Sequence, residues 1–221
     1  GVPGISFDGI QPGATFEYRF TLQQSGTYWY HSHSALQELT GLFGALIVHP
    51  AQPDPAAVPP ERDHVLILSD WTKRDPATVL RYLRAHSHSF SLSNPTVGDF
   101  WQDVSRHGLQ AAWQKRQMWQ QMRMSPTDLA DLSSLALNYL INGCPAQANL
   151  SLPLMTGQKH RLRFINAAGH TFYDVRIPGL TLTVIEADGQ AVQSVPCEEF
   201  RLGPGQTLAV EVVPEDAAYT L

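Results

Sequence analysis

Charge is scarce in this sequence. Of its 221 residues only 16% are Asp, Glu, Lys or Arg, against about a quarter in an ordinary soluble domain. Long solvated helices need more than that, so the 16 glycines and 16 prolines point instead to many short strands joined by turns. Apolar runs are short as well: none approaches the roughly 20 residues that cross a bilayer as a helix. No basic-then-apolar secretory leader stands at Gly1. The formal net charge of -5 leaves no overall basic footprint for nucleic acid. There is no initiating methionine: Gly1-Val2-Pro3-Gly4 reads as the interior of a longer protein, and the chain is expected to be a fragment. Core material is not lacking. With 43% hydrophobic residues and 10% aromatics, disorder is excluded for most of the chain, and the length suits one large domain or two ordinary ones.

The first 50 residues read as strands and turns. Residues 15–22 alternate with period two, as a half-buried strand should. The turn Gln24-Ser25-Gly26 leads into a strand over 27–33, and an apolar strand over 44–49 closes the region. Between 50 and 60 stand five prolines, Pro50, Pro53, Pro55, Pro59 and Pro60, a stiff extended linker. The expected organisation is therefore a first unit over 1–50, a linker over 51–62 and a second unit over 63–221. In the second unit a strand over 64–69 gives way to helical signals. Asp75-Pro76 is an N-cap followed by proline at the first helical position, leading into 77–85. Apolar side chains recur at close to helical spacing over 109–123, and Ser125-Pro126-Thr127-Asp128 marks another start. Strands return over 137–141, 160–165, 172–177, 182–187, 199–202 and 207–213. The second unit is thus a β-domain with a helical insertion over about 73–133.

That insertion carries eight Lys/Arg against three acids between Lys73 and Arg123. It is either a solvated helical face or a surface that docks on an acidic neighbour. A weak internal repeat also stands out. Pro12-Gly13-Ala14-Thr15 and Pro204-Gly205-Gln206-Thr207 each open an alternating strand, with Tyr28 and Tyr219 at similar distances downstream. The same hairpin in two β-domains of one architecture would produce this.

His31 and His33 are two apart on a predicted strand, which puts both imidazoles on one face, roughly 6.6 Å apart at the backbone. On a helix they would face different ways. Such a pair can hold one metal or serve two adjacent ones, and imidazole suits copper and zinc.

The run Gly26-Thr27-Tyr28-Trp29-Tyr30-His31-Ser32-His33-Ser34 resembles the Gly-Thr-x-Trp-Tyr-His-x-His element of the multicopper oxidases. Further segments extend the resemblance over essentially the whole chain: Ser69-Asp70-Trp71-Thr72, Thr96-Val97-Gly98-Asp99-Phe100, the stretch from Met122 to Asp131, Tyr139-Leu140-Ile141-Asn142-Gly143, Leu162-Arg163-Phe164-Ile165-Asn166 and Asp174-Val175-Arg176-Ile177-Pro178-Gly179. Together they are similar to the copper-resistance protein A branch. The resemblance implies a mainly β fold of tandem cupredoxin-like Greek-key sandwich or barrel domains. It also implies a periplasmic, three-domain, copper-dependent oxidase of Cu(I) or of small phenol-like reductants, with dioxygen as acceptor. His31 and His33 would be ligands of the type 3 copper pair in a trinuclear cluster. Trp29, on the same strand face, would pack beside them and limit ring movement.

Such a cluster needs eight histidines from four elements, and only His31 and His33 lie in a matching element here. Cys144 and Cys197 have no histidine close behind them, so neither suits a blue-copper site. The fragment alone is not expected to be catalytically competent. Its partners would be the first and third cupredoxin domains of the same polypeptide, with the blue-copper site outside this chain. A His-x-His-Gly element is expected upstream of Gly1 and a His-Cys-His element beyond Leu221. In an oxidising periplasm Cys144 and Cys197 either close a disulfide, worth roughly 3–4 kcal/mol by chain entropy, or remain free thiols. Met118, Met122 and Met124 could offer thioethers to Cu(I), or simply fill a core. His86 and His88 are a weaker candidate pair, lacking the Trp-Tyr context. His49, His64, His107, His160 and His170 read as structural. The alternatives are a laccase-like oxidase of organic substrates and a non-catalytic copper-binding or storage scaffold.

Overall fold

A computed structural model describes residues 4–34, 36–52, 57–85, 95–117, 137–215 and 218–221. In chain order the strands are β1 (Gly26–His31), β2 (Phe43–Val48), β3 (Asp63–Trp71), β4 (Asn138–Ile141), β5 (Cys144–Pro145), β6 (His160–Asn166), β7 (Tyr173–Arg176), β8 (Leu182–Ala187), β9 (Gln190–Cys197), β10 (Glu199–Leu202) and β11 (Thr207–Val212). Three helices, α1 (Pro76–Ala85), α2 (Val97–His107) and α3 (Leu109–Lys115), lie between β3 and β4. The chain is mainly β, as expected. No helix of the described residues is long and apolar enough to cross a membrane.

Seven strands form one sheet in the order β5-β4-β3-β6-β11-β8-β9, in which β3 and β6 run parallel and every other pair antiparallel. Its ends do not pair with each other, so it does not close into a barrel. Strand β6 is buried along nearly its whole length: Leu162 and Phe164 enter the core, while Arg161 and Arg163 alternate with them and meet the carboxylates of Asp63 and Glu211. Against the sheet lies the antiparallel ladder β7–β10. The core fills the space between: Leu66, Leu162, Phe164, Leu182 and Val210 from the sheet meet Val175, Ile177, Leu180 and Leu202. Phe164 and Phe200 meet edge to face at 5.3 Å, a favoured aromatic geometry. Two of the hairpins turn on dipeptides suited to left-handed backbone, Asn142-Gly143 between β4 and β5 and Asp188-Gly189 between β8 and β9. All four residues have positive φ, as a two-residue turn matched to strand twist requires.

The expected strand over 15–22 is not formed. The segment makes no ladder, and Phe16, Tyr18, Phe20 and Leu22 on its alternate positions stand 48% to 69% exposed. A period-two pattern becomes a strand only where a neighbour supplies hydrogen bonds and a cover for the apolar face. Among the described residues this segment has neither. The proposed hairpin repeat fails with it, since Tyr219 also lies outside any strand.

The helical insertion begins as expected. Asp75 accepts the Thr78 backbone N–H at 2.9 Å and opens α1. Sequence reading passed over α2, whose start is a capping box: the Thr96 hydroxyl accepts the Asp99 N–H at 3.1 Å, and the Asp99 carboxylate accepts the Thr96 N–H at 2.9 Å. Asp103 then ties α2 to α3 by accepting from Lys115 at 3.0 Å and Arg116 at 2.7 Å. Two of the insertion's cations are therefore neutralised internally. The helix start at Ser125-Pro126-Thr127-Asp128 lies outside the described residues, as do His86, His88, Met118, Met122 and Met124. Cys144 and Cys197 are both free and stand on opposite edge strands of the sheet.

At the lower end of the β3–β6 pair, His64 Nε2 and His160 Nδ1 are 3.3 Å apart. Fully buried His160 accepts the Met155 backbone N–H at Nε2, at 2.8 Å. Its neutral ring therefore carries the proton on Nδ1 and offers it to His64. Burial, with the neighbouring His64 next, pushes the His160 pKa below the usual 6.5. A folded pKa below the unfolded one gives stability that is complete above about 6.5 and is lost as pH falls below it, because the unfolded chain then binds the extra proton. Melting temperature is expected to fall between pH 6.5 and 5, and His160→Gln to flatten that part of the profile. An unchanged slope in the variant would assign the acid sensitivity elsewhere.

Candidate metal centre

Strand β1 presents Thr27, Trp29 and His31 on one face and Tyr28 and Tyr30 on the other, as strand alternation dictates. It pairs antiparallel with β2, but its fixed points lie far downstream. Thr27 is completely buried and spends all three of its polar groups there. Its N–H donates to Glu186 Oε1 at 2.7 Å, its hydroxyl accepts from Arg163 at 2.7 Å, and its carbonyl accepts from the Thr207 hydroxyl at 2.9 Å. Arg163 is held in turn by a two-pronged bond to Asp63, at 2.7 and 2.8 Å. On the opposite face the Tyr28 hydroxyl donates to the Gly189 carbonyl at 3.1 Å. The Trp29 indole N–H donates to the Gly205 carbonyl at 3.2 Å.

The strand so anchored ends at His31, two residues earlier than expected, yet the two histidines still come together. The Trp29 and His31 rings stack at 4.2 Å with 13° between their planes, and the His31 and His33 rings are 4.5 Å apart. Trp29 thus packs on the ring of His31, as the strand parity predicted. The connection to β2 folds back on itself: Ser32 N–H reaches the Leu42 carbonyl at 3.0 Å, and Gly41 N–H the Glu38 carbonyl at 2.9 Å. This turn sets Glu38 Oε2 3.1 Å from His31 Nδ1. The contact is too poorly angled for a hydrogen bond, and Nδ1 is otherwise a buried atom without a partner.

These residues suit copper. Neutral imidazoles are good copper donors, and a carboxylate at one ring nitrogen commonly leaves the other free for a metal. With Nδ1 facing Glu38, Nε2 is the nitrogen left to His31 for a ligand. Among the described residues no group of three or more His, Cys, Asp and Glu converges as a metal site. A metal at this pair would need further donors from outside these residues. Glu38 was not anticipated from sequence, since an acid seven places after His31 in a polar loop carries no pattern. Nor were Arg163 and Gly205, whose contacts with β1 cross 136 and 176 residues.

The other described histidines and the thiols stay apart from this pair. Asp70 accepts from Gly169 N–H at 3.2 Å and the Thr171 hydroxyl at 2.8 Å, with His170 Nδ1 3.6 Å away. Burial alone would raise the Asp70 pKa, but the bonds from His170, Thr171 and Gly169 outweigh it and hold the carboxyl below its usual range. His49 and His107 are exposed. Cys197 donates its S–H to the Leu182 carbonyl at 3.4 Å, and burial pushes its thiol pKa up.

Comparison with known proteins gives the family. The chain is 47% identical over its whole length to Copper resistance protein A of Escherichia coli, of which it covers 36%. It is 46% identical to a Copper resistance protein A homolog of Pseudomonas syringae pv. tomato, covering 37%. The chain therefore spans little more than a third of these relatives' length. Among solved structures, the laccase of Botrytis aclada superposes with a TM-score of 0.61 at 27% identity, over 95% of this chain and 33% of that one. Blue Copper Oxidase from Nitrosomonas europaea gives 0.62 at 24% identity, over 99% and 55%. A family model described as Multicopper oxidase matches residues 62–221 and a second of the same description matches residues 1–53, so the chain belongs to the multicopper oxidase family.

Proposed function

We propose that this chain is part of a periplasmic multicopper oxidase of copper resistance that oxidises Cu(I) or phenol-like reductants. Each dioxygen takes four electrons and four protons and leaves as two waters. Residues 1–50 end a first cupredoxin-like unit, 51–62 link, and 63–221 form a second unit without copper of its own. The observation that carries this reading is the Trp29–His31 ring stack with the His33 ring 4.5 Å from His31 and His31 Nδ1 turned to Glu38.

Copper bound at such a pair supplies the one-electron redox chemistry that dioxygen reduction draws on. The chain's own residues bind and orient. His31 contributes Nε2, has Nδ1 turned to Glu38, and has one ring face covered by Trp29. His33 contributes the second imidazole. The remaining donors come from other parts of the polypeptide. The laccase relatives, 28% identical in Cryptococcus neoformans and 31% in Botryotinia fuckeliana, favour organic reductants as the second reading.

The test uses the full-length polypeptide. His31→Ala with His33→Ala is expected to lower Cu(I)-driven dioxygen uptake at least about a hundredfold, since even partners one shell out from a metal are worth 10–100-fold. Changing Met118, Met122 and Met124 to Leu is expected to leave uptake within about twofold. Uptake that survives loss of both histidines sinks the oxidase assignment. Copper binding that instead follows the methionines supports storage.

A further inference from the structure

We propose that the Trp29 indole is a positioning group that carries the placement of the Pro204-Gly205 turn to the His31 imidazole. A turn 176 residues downstream then sets the plane in which a ligand ring is presented. The inference rests on the reading of His31 and His33 as copper ligands. Three observations support it. The indole is held at both ends of its reach, its N–H on the Gly205 carbonyl at 3.2 Å and its ring face on His31 at 4.2 Å and 13°. The His31 ring has no well-aligned hydrogen bond at Nδ1 to fix its own plane, so the stack supplies the orientation that a bond would otherwise give.

The turn is itself immobilised. Gly205 N–H donates to the Asn166 carbonyl at 2.9 Å and Asn166 N–H to the Gln206 carbonyl at 3.0 Å. The Gln206 side chain accepts the Gly203 N–H at 2.7 Å. Fully buried Asn166 spends its side-chain amide on the Thr171 and Leu202 carbonyls, at 2.8 and 2.9 Å. Gly205 is thereby tied to the end of β6 in the middle of the large sheet. Rotation of the His31 ring would have to break the stack, and the indole cannot follow it without leaving the Gly205 carbonyl. A tryptophan that merely filled space would be served as well by phenylalanine.

That difference is the test. In the copper-loaded full-length polypeptide, Trp29→Phe keeps an aromatic face but loses the N–H donor. Copper is expected to pass to a chelator about tenfold faster, with an altered copper X-ray absorption spectrum and an unchanged melting temperature. Gln206→Ala loosens the turn without touching Trp29 and is expected to alter the spectrum in the same sense, by less. Parental release rates and spectra in both variants overturn the proposal. His31→Ala with His33→Ala runs in parallel: if that variant keeps its full copper complement, the ligand reading itself is wrong. If it loses copper while Trp29→Phe and Gln206→Ala match the parent, only the positioning role falls.

Discussion

Arg163→Met is expected to cost about 3–5 kcal/mol of stability and to lower the urea midpoint by more than about 1 M. Arg163 is 4% exposed and serves three neighbours at once. It grips both Asp63 oxygens, donates to Thr27, and has Glu186 3.7 Å away. Without it, the Asp63 carboxylate keeps, among the described residues, only Arg161 at 3.8 Å, too far for a hydrogen bond. Breaking one half of a buried pair is much worse than replacing both halves with apolar groups. Adding Asp63→Leu to Arg163→Met should therefore recover part of the loss. Arg163→Lys keeps the charge but lacks the planar fork, and should fall between. A loss below about 1 kcal/mol for Arg163→Met would mean that the cluster contributes little beyond filling space.

Gly189→Ala is expected to cost about 3 kcal/mol, from two sources. Its φ of 73° lies in left-handed backbone, where a side chain costs about 1–2 kcal/mol. A Cβ there would also overlap the Tyr28 ring, and forcing atoms into an occupied space costs about 1–3 kcal/mol. The ring cannot simply swing aside, because its hydroxyl donates to Gly189 and accepts from Gln24 at 2.8 Å. The overlap is removed in Tyr28→Ala, so the added loss from Gly189→Ala should shrink to the backbone part in that background. Denaturant unfolding of the four proteins measures it. Equal losses in both backgrounds would show that the Tyr28 ring is not what excludes a side chain.

Sequence pattern served best where both faces of an element are covered by the chain itself. Strand β11 was legible because burial on both sides leaves the apolar run Leu208-Ala209-Val210, which a core strand explains. Residues 15–22 misled for the converse reason: alternation states a preference, and a strand also needs a neighbour. Strand β9 was missed because seven of its eight positions are exposed, so no face had to be apolar. The Asp188-Gly189 turn ahead of it was the available signal. In the site, parity placed Trp29 and His31 together, because a strand's geometry is local; His33 lies past the end of β1 and reaches His31 from the following turn. Glu38, Arg163 and Gly205 were invisible since each acts through a contact that tertiary folding creates, with no periodic trace.

The anchoring of β1 has a consequence for biosynthesis. Every bond that fixes Thr27, Tyr28 and Trp29 against the large sheet is made by a residue at or beyond Arg163, the last being Thr207, 180 positions later. At roughly 5–20 residues per second, the histidine pair leaves the ribosome some 10–35 s before its support is complete. Through that interval His31 and His33 lack every hydrogen bond that fixes β1 against the large sheet. Their ability to select a metal by geometry is thus acquired late, and copper offered before the second unit has folded would meet a flexible pair rather than a shaped site.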